Sequence, residues 1–434
     1  MSYGIRTFLF EAFFFEVKTR NSQIITSKFL SVYSPLTNQL FMYPNLYYAF
    51  KDLFGVEWTF LRFVNSFGFF VAIAFIISAM VLAHELRRKS KQGLFQPTEM
   101  EVMVGQPATI FDLTLNFLLG FLLGYKIVAL FIMDSSATED PQAFIFSTLG
   151  SWPAGIGLGL LFAGLKWWDK NKQKLTKPEK RIVRIWPHDR VGEITILALI
   201  FGLLGAKLFD IFENWGDFLQ HPADYIFSAK GLTFYGGLIC AGLAIGLYAK
   251  KHKIGFWHLG DAMAPTMMLA YSLGRIGCQV SGDGDWGIEN INTKPFNWLP
   301  DWMWSYTYPH NVNEMGVKIA GCTDTKFCNE LPVGVYPTSL YEIIACFLLF
   351  LVIWSLRKKF KVPGTLFGFY LMLNGMERFF VEKIRVNTRL NIFGLQPTQA
   401  EVISALLFIS GLVIWLVLER RAKKQKSTIT HIKP

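Results

Sequence analysis

The sequence predicts an all-α polytopic membrane protein with about nine transmembrane helices, its N-terminus outside and its C-terminus in the cytoplasm. Hydrophobic residues make up 52% of the 434 residues, and the mean hydropathy is +0.32. Charged residues make up only 17%, whereas a soluble domain usually carries about 25%. The 41 Phe and 13 Trp residues complete a composition that is typical of a chain surrounded by lipid.

Nine apolar segments are long enough to cross a bilayer, which takes about 20 apolar residues in a helix. The loops between them alternate in charge: HELRRKSKQG after the first segment is basic, DSSATEDPQ after the second is acidic, and residues 166–190 after the third are strongly basic. Short basic loops tend to stay on the cytoplasmic side, so this alternation predicts the orientation. The segments lie at roughly 66–84, 111–133, 143–165, 193–212, 231–249, 259–280, 338–356, 363–381 and 400–418.

The net charge of +11 lies mainly in these basic loops. It therefore indicates membrane orientation, and we expect no nucleic-acid partner. The long polar loop 282–337 becomes a periplasmic insertion in this topology. The loop at 382–393 breaks the charge rule, because Lys383, Arg385 and Arg389 face outward.

The N-terminal residues 1–41 differ from a membrane span. Their Phe-rich run from Phe8 to Phe15 is interrupted by Glu11, is too short to cross a bilayer, and has no small-residue cleavage site of a signal peptide. We expect residues 1–41 to be a non-native or flexible extension and Met42 to be the native start. Residues 42–434 then form one membrane domain.

Residues 112–172 and 193–253 form an internal repeat at an offset of 81 positions. Gly124 matches Gly205 and Lys126 matches Lys207, and both copies are predicted to be helical hairpins. Chance similarity is common among membrane helices, but here lysines match in register as well as apolar residues. We interpret the repeat as a duplication.

The five cysteines include no C-x-x-C pair. The sequence therefore supports neither a zinc site nor a thioredoxin-like motif, and we expect no metal and no cofactor. Cys322 and Cys328 share the loop 282–337, where they can form a disulfide if that loop faces an oxidising compartment, but the sequence does not decide whether they do.

One polar cluster, GRIGCQVSGDGDWG, begins inside the sixth segment and runs into the outer loop. Arg275 lies within the membrane segment, and Asp283 and Asp285 follow outside it. A guanidinium at this depth suits a phosphate, because it offers two parallel charge-assisted hydrogen bonds. The alternative is a structural Arg–Asp pair that closes the helix end.

A second cluster, NGMERFFVEKIR, ends the eighth segment. Arg378, Glu382 and Arg385 are spaced by four and three residues, so they share one helical face. Two arginines at the outer boundary suggest an anionic ligand, since ionisable groups in a membrane are costly. An exposed ladder of ion pairs is the structural alternative.

Three further segments bring polar groups to the outer half of the membrane: Tyr235 in LTFYGGL, Tyr341 and Glu342 in YPTSLYE, and Lys207 in GAKLF. A tyrosine at this level is often part of an interfacial aromatic belt, and a lysine often extends its ammonium to the surface. The predicted topology nevertheless places the tyrosines, Glu342 and both clusters at one outer face. This coincidence predicts a site for a lipid headgroup.

Together these motifs resemble those of prolipoprotein diacylglyceryl transferases, from about Met42 to Leu418 apart from the duplicated hairpin and the long outer loop. Gly274-Arg275-Ile276-Gly277 matches the family's G-R-x-G, with Asp283 in the place of its glutamate and Trp286-Gly287 after it. Asp261 and Pro265 match its D-x-x-x-P lead-in. YPTSLYE matches H-P-[ST]-Q-L-Y-E, and GMERFFVEKIR matches G-x-x-R-x-x-[IV]-E-x-x-R.

Several positions depart from the family pattern. Cys278 and Ser281 stand where the family usually has asparagines, and Phe67 stands where it has a tyrosine. Tyr235 replaces the histidine of F-H-G-G that is proposed as a base. If this protein is active, that histidine is not obligatory, and a carboxylate or Tyr235 takes the proton, or the thiol is activated electrostatically.

The resemblance implies that the lipobox cysteine thiol of a prolipoprotein signal peptide attacks the glyceryl carbon of phosphatidylglycerol in the inner membrane of a bacterium. A thioether forms and glycerol 1-phosphate leaves. Membrane lipids and both substrates are therefore the expected partners. The expected catalytic residues are Arg275, Arg378, Tyr235, Asp283 and Glu382. The expected substrate-binding residues are Arg275, Arg378, Arg385, Tyr341, Glu342, Gly287 and Lys207.

Two other functions stay open at this point. A transporter also combines parallel repeats with buried charges, although its site usually lies near the bilayer midplane. An inactive scaffold derived from a transferase is the second alternative, because Tyr235 replaces the histidine.

Overall fold

The computed structural model describes residues 42–132, 144, 147–222, 226, 231, 233–322, 326–387, 389–391 and 396–432. The predicted extension 1–41 lies outside these residues. The α-helices are α1 Leu46–Phe54, α2 Ser66–Lys91, α3 Ile110–Leu123, α4 Ala129–Ile132, α5 Trp152–Lys172, α6 Val191–Glu213, α7 Trp215–Gln220, α8 Phe234–Lys251, α9 Phe256–Ser281, α10 Asp301–Trp304, α11 Thr338–Leu356, α12 Thr365–Glu382 and α13 Gln399–Ile432. The strands are β1 Thr98–Val104, β2 Glu179–Ile185, β3 Val317–Lys318 and β4 Asn329–Glu330.

The described residues contain five helices that are long and apolar enough to cross a membrane. The prediction of a helical membrane protein is confirmed at this level. Four further helices of 18 to 26 residues, α5, α8, α9 and α12, overlap other predicted segments. The five helices are Ser66–Lys91, Ile110–Val128, Pro187–Glu213, Thr338–Leu356 and Gln399–Gln425.

The third predicted segment, 143–165, begins too early, because α5 begins at Trp152. The hydroxyl of Ser151 accepts a hydrogen bond from the amide of Ala154, and Pro153 occupies the first turn. Both are signals for a helix start at this position.

The all-α prediction misses two small antiparallel ribbons. Strand β1 pairs with β2 in the register Thr98↔Ile185, and β3 pairs with β4. The first ribbon joins two loops, one at β1 and one at β2, whose charged residues give no clear strand signal in the sequence. Its cross-strand ion pair between Glu99 and Arg184, at 3.1 Å, explains part of that charge.

Helix α9 lies at the centre of the fold and packs against α2, α11 and α12. Ala264 and Met268 of α9 are fully buried against Cys346 and Ile353 of α11. The central position matters because α9 carries Arg275. Its neighbours α11 and α12 carry the other charged residues of the two predicted clusters.

The two predicted repeat copies have matching contacts. Each forms a helical hairpin, α3 with α5 and α6 with α8. A Cβ atom at Gly124 would collide with the backbone of Ala154 and Gly155, and one at Gly205 would lie 2.5 Å from the carbonyl oxygen of Gly236. These glycines let the helices of each hairpin approach closely. The duplication itself stays a prediction.

The matching lysines also have similar contacts. The ammonium of Lys126 donates to the carbonyls of Phe144 and Ser147, at 2.8 and 2.7 Å. Lys207 donates to the carbonyl of Gly231 at 3.4 Å and pairs with Asp210 at 3.5 Å. Each lysine therefore ties the first helix of its hairpin to the segment that leads into the second.

The loop 282–337 has a core of its own. Trp286, Tyr306, Tyr308 and Val335 are buried together with Met42. Cys322 and Cys328 form a disulfide within this loop. The loop is thus a folded cap above the ends of α9 and α11.

Candidate functional site

Three arginines meet at the buried carboxylate of Glu342, in the first turns of α11. Arg275 from α9 lies 2.7 Å from Glu342 Oε2, and Arg378 from α12 lies 2.7 Å from Oε1. Arg385, just beyond α12, approaches Oε1 to 3.3 Å, and the hydroxyl of Tyr271 donates to the same oxygen. Glu342 has no exposed surface. The two sequence motifs that carry arginines are therefore joined through the third motif.

Asp285 completes this group from the loop 282–337. Its carboxylate pairs with Arg275 and with Arg385. Its backbone carbonyl accepts hydrogen bonds from the hydroxyls of Thr338 and Ser339, which fixes the loop to the start of α11. We call Arg275, Arg378, Arg385, Glu342 and Asp285 the arginine cluster.

Opposite effects act on the two loop carboxylates. Burial alone would raise the pKa of Asp285, but Arg275 and Arg385 outweigh burial and hold its pKa below the usual value. Burial raises the pKa of Asp283, and the negative charge of Asp285 raises it further. Asp285 is therefore the ionised partner of the arginines, whereas Asp283 holds a proton more readily.

Gly287 brings the loop backbone against Arg385. The two residues form an antiparallel bridge, and the amide of Ile288 donates to the carbonyl of Ile384 at 2.9 Å. A Cβ atom on Gly287 would lie 2.5 Å from that carbonyl oxygen. The glycine thus permits the close approach that positions Arg385 in the cluster.

Glu382 lies at the edge of the cluster. Its Oε2 is 3.4 Å from Arg378, and its Oε1 accepts hydrogen bonds from Asn387 and Thr398. It is 2% exposed. These contacts orient Arg378 and attach the loop before α13 to the end of α12.

The two predicted tyrosines have different surroundings. Tyr235, half-buried in the first turn of α8, lies within electrostatic range of Arg378. The hydroxyl of Tyr341 donates to the carbonyl of Met303 at 2.9 Å and so contacts the loop 282–337. Lys207 contacts Asp210 and Gly231 in its own hairpin.

Cys278, Asp283 and Asp285 place their sulfur and oxygen atoms within 4.8 Å of one another. These are donor types that bind metals. However, Arg275 pairs with Asp285 and lies 3.7 Å from the sulfur of Cys278. The guanidinium of Arg275 already supplies a positive charge beside these three side chains. We therefore assign them to the surroundings of Arg275 and not to a metal site.

Sequence reasoning missed Glu377, which precedes Arg378. It is 8% exposed, and neither carboxylate oxygen accepts a hydrogen bond within the described part of the chain. It points away from the face shared by Arg378 and Glu382, because one residue rotates a helix by about 100°. An ionisable residue in a membrane segment is itself the signal that would have found it.

The cluster has the chemistry of an anion site. Each guanidinium offers five N–H donors in a planar fork. The buried Nε of Arg385 has no hydrogen-bond partner among the described residues. A phosphate between the arginines would satisfy such donors and receive charge-assisted hydrogen bonds.

Comparisons with known proteins agree on one family. The model of the prolipoprotein diacylglyceryl transferase family matches residues 154–417, which include the whole arginine cluster. A phosphatidylglycerol–prolipoprotein diacylglyceryl transferase of Dehalococcoides mccartyi is 29% identical over 293 residues, which cover 67% of this chain and 96% of that protein.

Two clostridial proteins of the same name give similar values. The protein of Clostridioides difficile is 30% identical over 245 residues, or 56% of this chain and 83% of that protein. A second transferase of Clostridium perfringens is 27% identical over 274 residues, or 62% of this chain and 91% of that protein.

Proposed function

Because this chain belongs to the prolipoprotein diacylglyceryl transferase family, we propose that it transfers the diacylglyceryl group of phosphatidylglycerol to the cysteine thiol of a prolipoprotein. We assign this function to particular residues because Arg275, Arg378 and Arg385 meet at Glu342. Three guanidinium groups from separate segments surround one point at the ends of α9, α11 and α12.

We infer that Arg275 and Arg378 bind the phosphodiester of phosphatidylglycerol. Glu342 holds both side chains at 2.7 Å, so their forks are oriented before the lipid arrives. Such preorganised donors lower the barrier because they need no rearrangement as charge develops. Arg385, with its buried Nε, contributes a third cation.

The reaction exchanges one bond for another at the glyceryl carbon next to the phosphate. The cysteine sulfur forms the new carbon–sulfur bond, and the carbon–oxygen bond to the phosphate breaks with its electron pair on oxygen. Glycerol 1-phosphate leaves with an added negative charge. The arginines stabilise that charge, and their positive field also favours the attacking thiolate, whose ordinary pKa is about 8.5.

The thiol proton needs an acceptor, and Asp283 fits this role better than Glu382. Glu382 already accepts from Asn387 and Thr398 and contacts Arg378. Asp283 lies beside Cys278 and Arg275, and its raised pKa makes it the stronger base. Glu382 is then an orienting residue for Arg378.

The remaining predicted residues act around this centre. Tyr235 hydrogen-bonds the headgroup or relays a proton near Arg378. Gly287 positions Arg385, and Tyr341 fixes the outer loop through Met303. Lys207 is proposed to support substrate binding without contacting the substrate. Its contacts with Asp210 and Gly231 hold the helices of the α6–α8 hairpin together.

We propose nine spans with the N-terminus outside, the C-terminus cytoplasmic, and the protein in the inner membrane of a bacterium. The arginine cluster and the loop 282–337 then lie on the outer side. The disulfide between Cys322 and Cys328 supports this orientation, because disulfides persist in oxidising compartments. The second substrate is a signal peptide with a lipobox cysteine, which enters sideways from the bilayer.

One assay tests the function. Purified full-length protein is mixed with phosphatidylglycerol labelled in its acyl chains and a lipobox peptide, and the peptide is analysed by mass spectrometry. A diacylglyceryl thioether is the expected product. Binding of both substrates without product would favour an inactive scaffold, and solute flux in vesicles without product would favour a transporter.

A further inference from the structure

A basic pocket lies at the helix ends opposite to the arginine cluster. It is bordered by the end of α2, the start of α9, the end of α11 and the start of α12. His258 and Asp261 of α9 line the pocket, and Arg275 of the same helix belongs to the cluster. At about 1.5 Å per residue, the pocket and the cluster are roughly 20–25 Å apart along the helix. The cavity measures ≈ 200 Å³ and is lined by Arg88, Lys89, Gln92, Leu94, His258, Asp261, Arg357, Lys358, Phe360, Lys361, Pro363 and Leu366.

The pocket carries an excess of positive charge. Five of its residues are Lys or Arg. Two buried carboxylates oppose them: Glu85 pairs with Arg88 and Arg357, and Asp261 lies 3.6 Å from Lys89. Five cations and two anions leave three positive charges when His258 is neutral.

Lys89 is the strongest indication of a ligand. It is 5% exposed, yet its nearest carboxylate oxygen, on Asp261, is 3.6 Å away. Asp261 also accepts hydrogen bonds from the backbone amides of Gly364 and Phe367, at 2.9 and 3.0 Å. A buried ammonium has three donors, and its 3.6 Å ion pair with Asp261 is longer than an ordinary N–H···O hydrogen bond.

The pocket also has an open side at the protein surface. Lys358 and Lys361 are exposed, and within the described part of the chain they make no ion pair. Arg357 stacks on the ring of Trp354 at 3.5 Å, which holds its guanidinium in the wall. A cavity of this size holds several waters and is also large enough for a phosphate group.

We propose that this pocket binds a phosphate-bearing anion, namely the headgroup of an anionic phospholipid in the leaflet opposite to the arginine cluster. Basic pockets between transmembrane helices on this side of a membrane are suited to such headgroups. Lys89, Arg88 and Arg357 contact the phosphate from the inner wall. Lys358 and Lys361 contact it from the surface.

The test uses full-length protein in nanodiscs with a photoactivatable phosphatidic acid, and peptide mapping locates the crosslinks. Crosslinks are expected in residues 85–94 and 354–363. They should fall at least about tenfold in the double variant K358Q/K361Q, because each basic side chain contributes measurably to binding of anionic lipid. The variant K250Q/K251Q is the matched control, since it removes two exposed lysines from the end of α8.

Competition with inorganic phosphate distinguishes the two sources of the ligand. Unchanged crosslinking in excess phosphate identifies the lipid headgroup, and lost crosslinking identifies the phosphate ion as sufficient. The proposal is overturned if these two segments are not labelled in the wild type. It is equally overturned if K358Q/K361Q and K250Q/K251Q lose label to the same extent.

Discussion

Arg275 and Arg378 lie on different helices, and each places a guanidinium nitrogen 2.7 Å from the carboxylate of Glu342. This shared partner makes one site of two sequence motifs that are about one hundred residues apart. It also implies that a change at Glu342 affects both arginines together.

Removing either arginine should disable the reaction. We expect Arg275→Ala and Arg378→Ala each to reduce turnover by about 10²-fold or more, because each loses a donor to the leaving phosphate. The transferase assay measures this loss, and Arg184→Ala in the exposed β-ribbon is the control. Near-normal turnover in Arg275→Ala would remove the phosphate role from this residue.

Glu342 should matter for both stability and activity. In Glu342→Ala three arginines lose a buried counter-charge, and breaking such a pair costs about 3–5 kcal/mol. Thermal unfolding in detergent should show this loss, whereas Glu99→Gln, in an exposed pair, should change little. Glu342→Gln keeps a hydrogen-bond acceptor and should fold, but with poorly oriented arginines and low turnover. Full activity in that variant would argue against preorganisation by the charge.

Asp283 and Asp285 should shift the pH dependence of stability in opposite directions. The raised pKa of Asp283 means that stability falls as pH rises from the ordinary value, about 3.9, through the folded value. Asp283→Asn should therefore be more stable than wild type at neutral pH. Asp285 has a lowered pKa, so its stabilisation is present at neutral pH and is lost as pH falls through the folded value.

Asp285→Asn should accordingly be less stable than wild type at neutral pH and approach it in acid. Melting temperatures from pH 4 to pH 8 measure both variants. Asp283→Asn should also lose turnover if Asp283 accepts the thiol proton. A stability change of the same sign in both variants would contradict the assignment of opposite roles.

Adding one methyl group at Gly287 should damage the site more than adding one at Gly274. The new Cβ of Gly287→Ala meets the carbonyl of Ile384 and displaces the backbone before Arg385. A displacement on the order of 1 Å can reduce turnover by about 10²-fold. Gly274→Ala has open space around its Cβ, so its turnover should stay near wild type. Equal effects of the two changes would mean that close packing at Gly287 is unimportant.

Lys207 should behave like its counterpart Lys126. Both lysines donate to backbone carbonyls between the helices of a hairpin. Lys207→Ala and Lys126→Ala should lower the melting temperature to a similar extent and leave the KM for phosphatidylglycerol near wild type. A selective rise of KM in Lys207→Ala would instead establish direct substrate binding.

Much of the helical layout could be predicted from the sequence, because apolar length and loop charge reflect the cost of placing polar groups in lipid. The predicted segment 338–356 coincides with α11. The start of the third segment could not be predicted from hydropathy, because it depends on Ser151 and Pro153. The ribbon of β1 and β2 was missed because exposed, charged strands carry no membrane signal.

The sequence predicts that the site residues lie at one level of the helices, but it does not predict which of them are in contact. Topology brings Arg275, Arg378 and Glu342 to one level, yet only packing of α9 against α11 and α12 shows that they touch. The family motif matches Asp283 to its glutamate, whereas the geometry places Asp285 against the arginines. Lys207 was predicted at the same level as the arginines, but its contacts with Asp210 and Gly231 lie within the α6–α8 hairpin.

The pairing of Arg275 also bears on how the chain is made. Its partner Glu342 follows 67 positions later, which corresponds to roughly 3 to 13 seconds of synthesis. An unpaired guanidinium in lipid is unfavourable during that interval. Asp285 is only ten positions away, so the growing chain contains this carboxylate partner long before it contains Glu342. Of the two carboxylates that pair with Arg275 in the folded protein, the nearer one in sequence is therefore synthesised first.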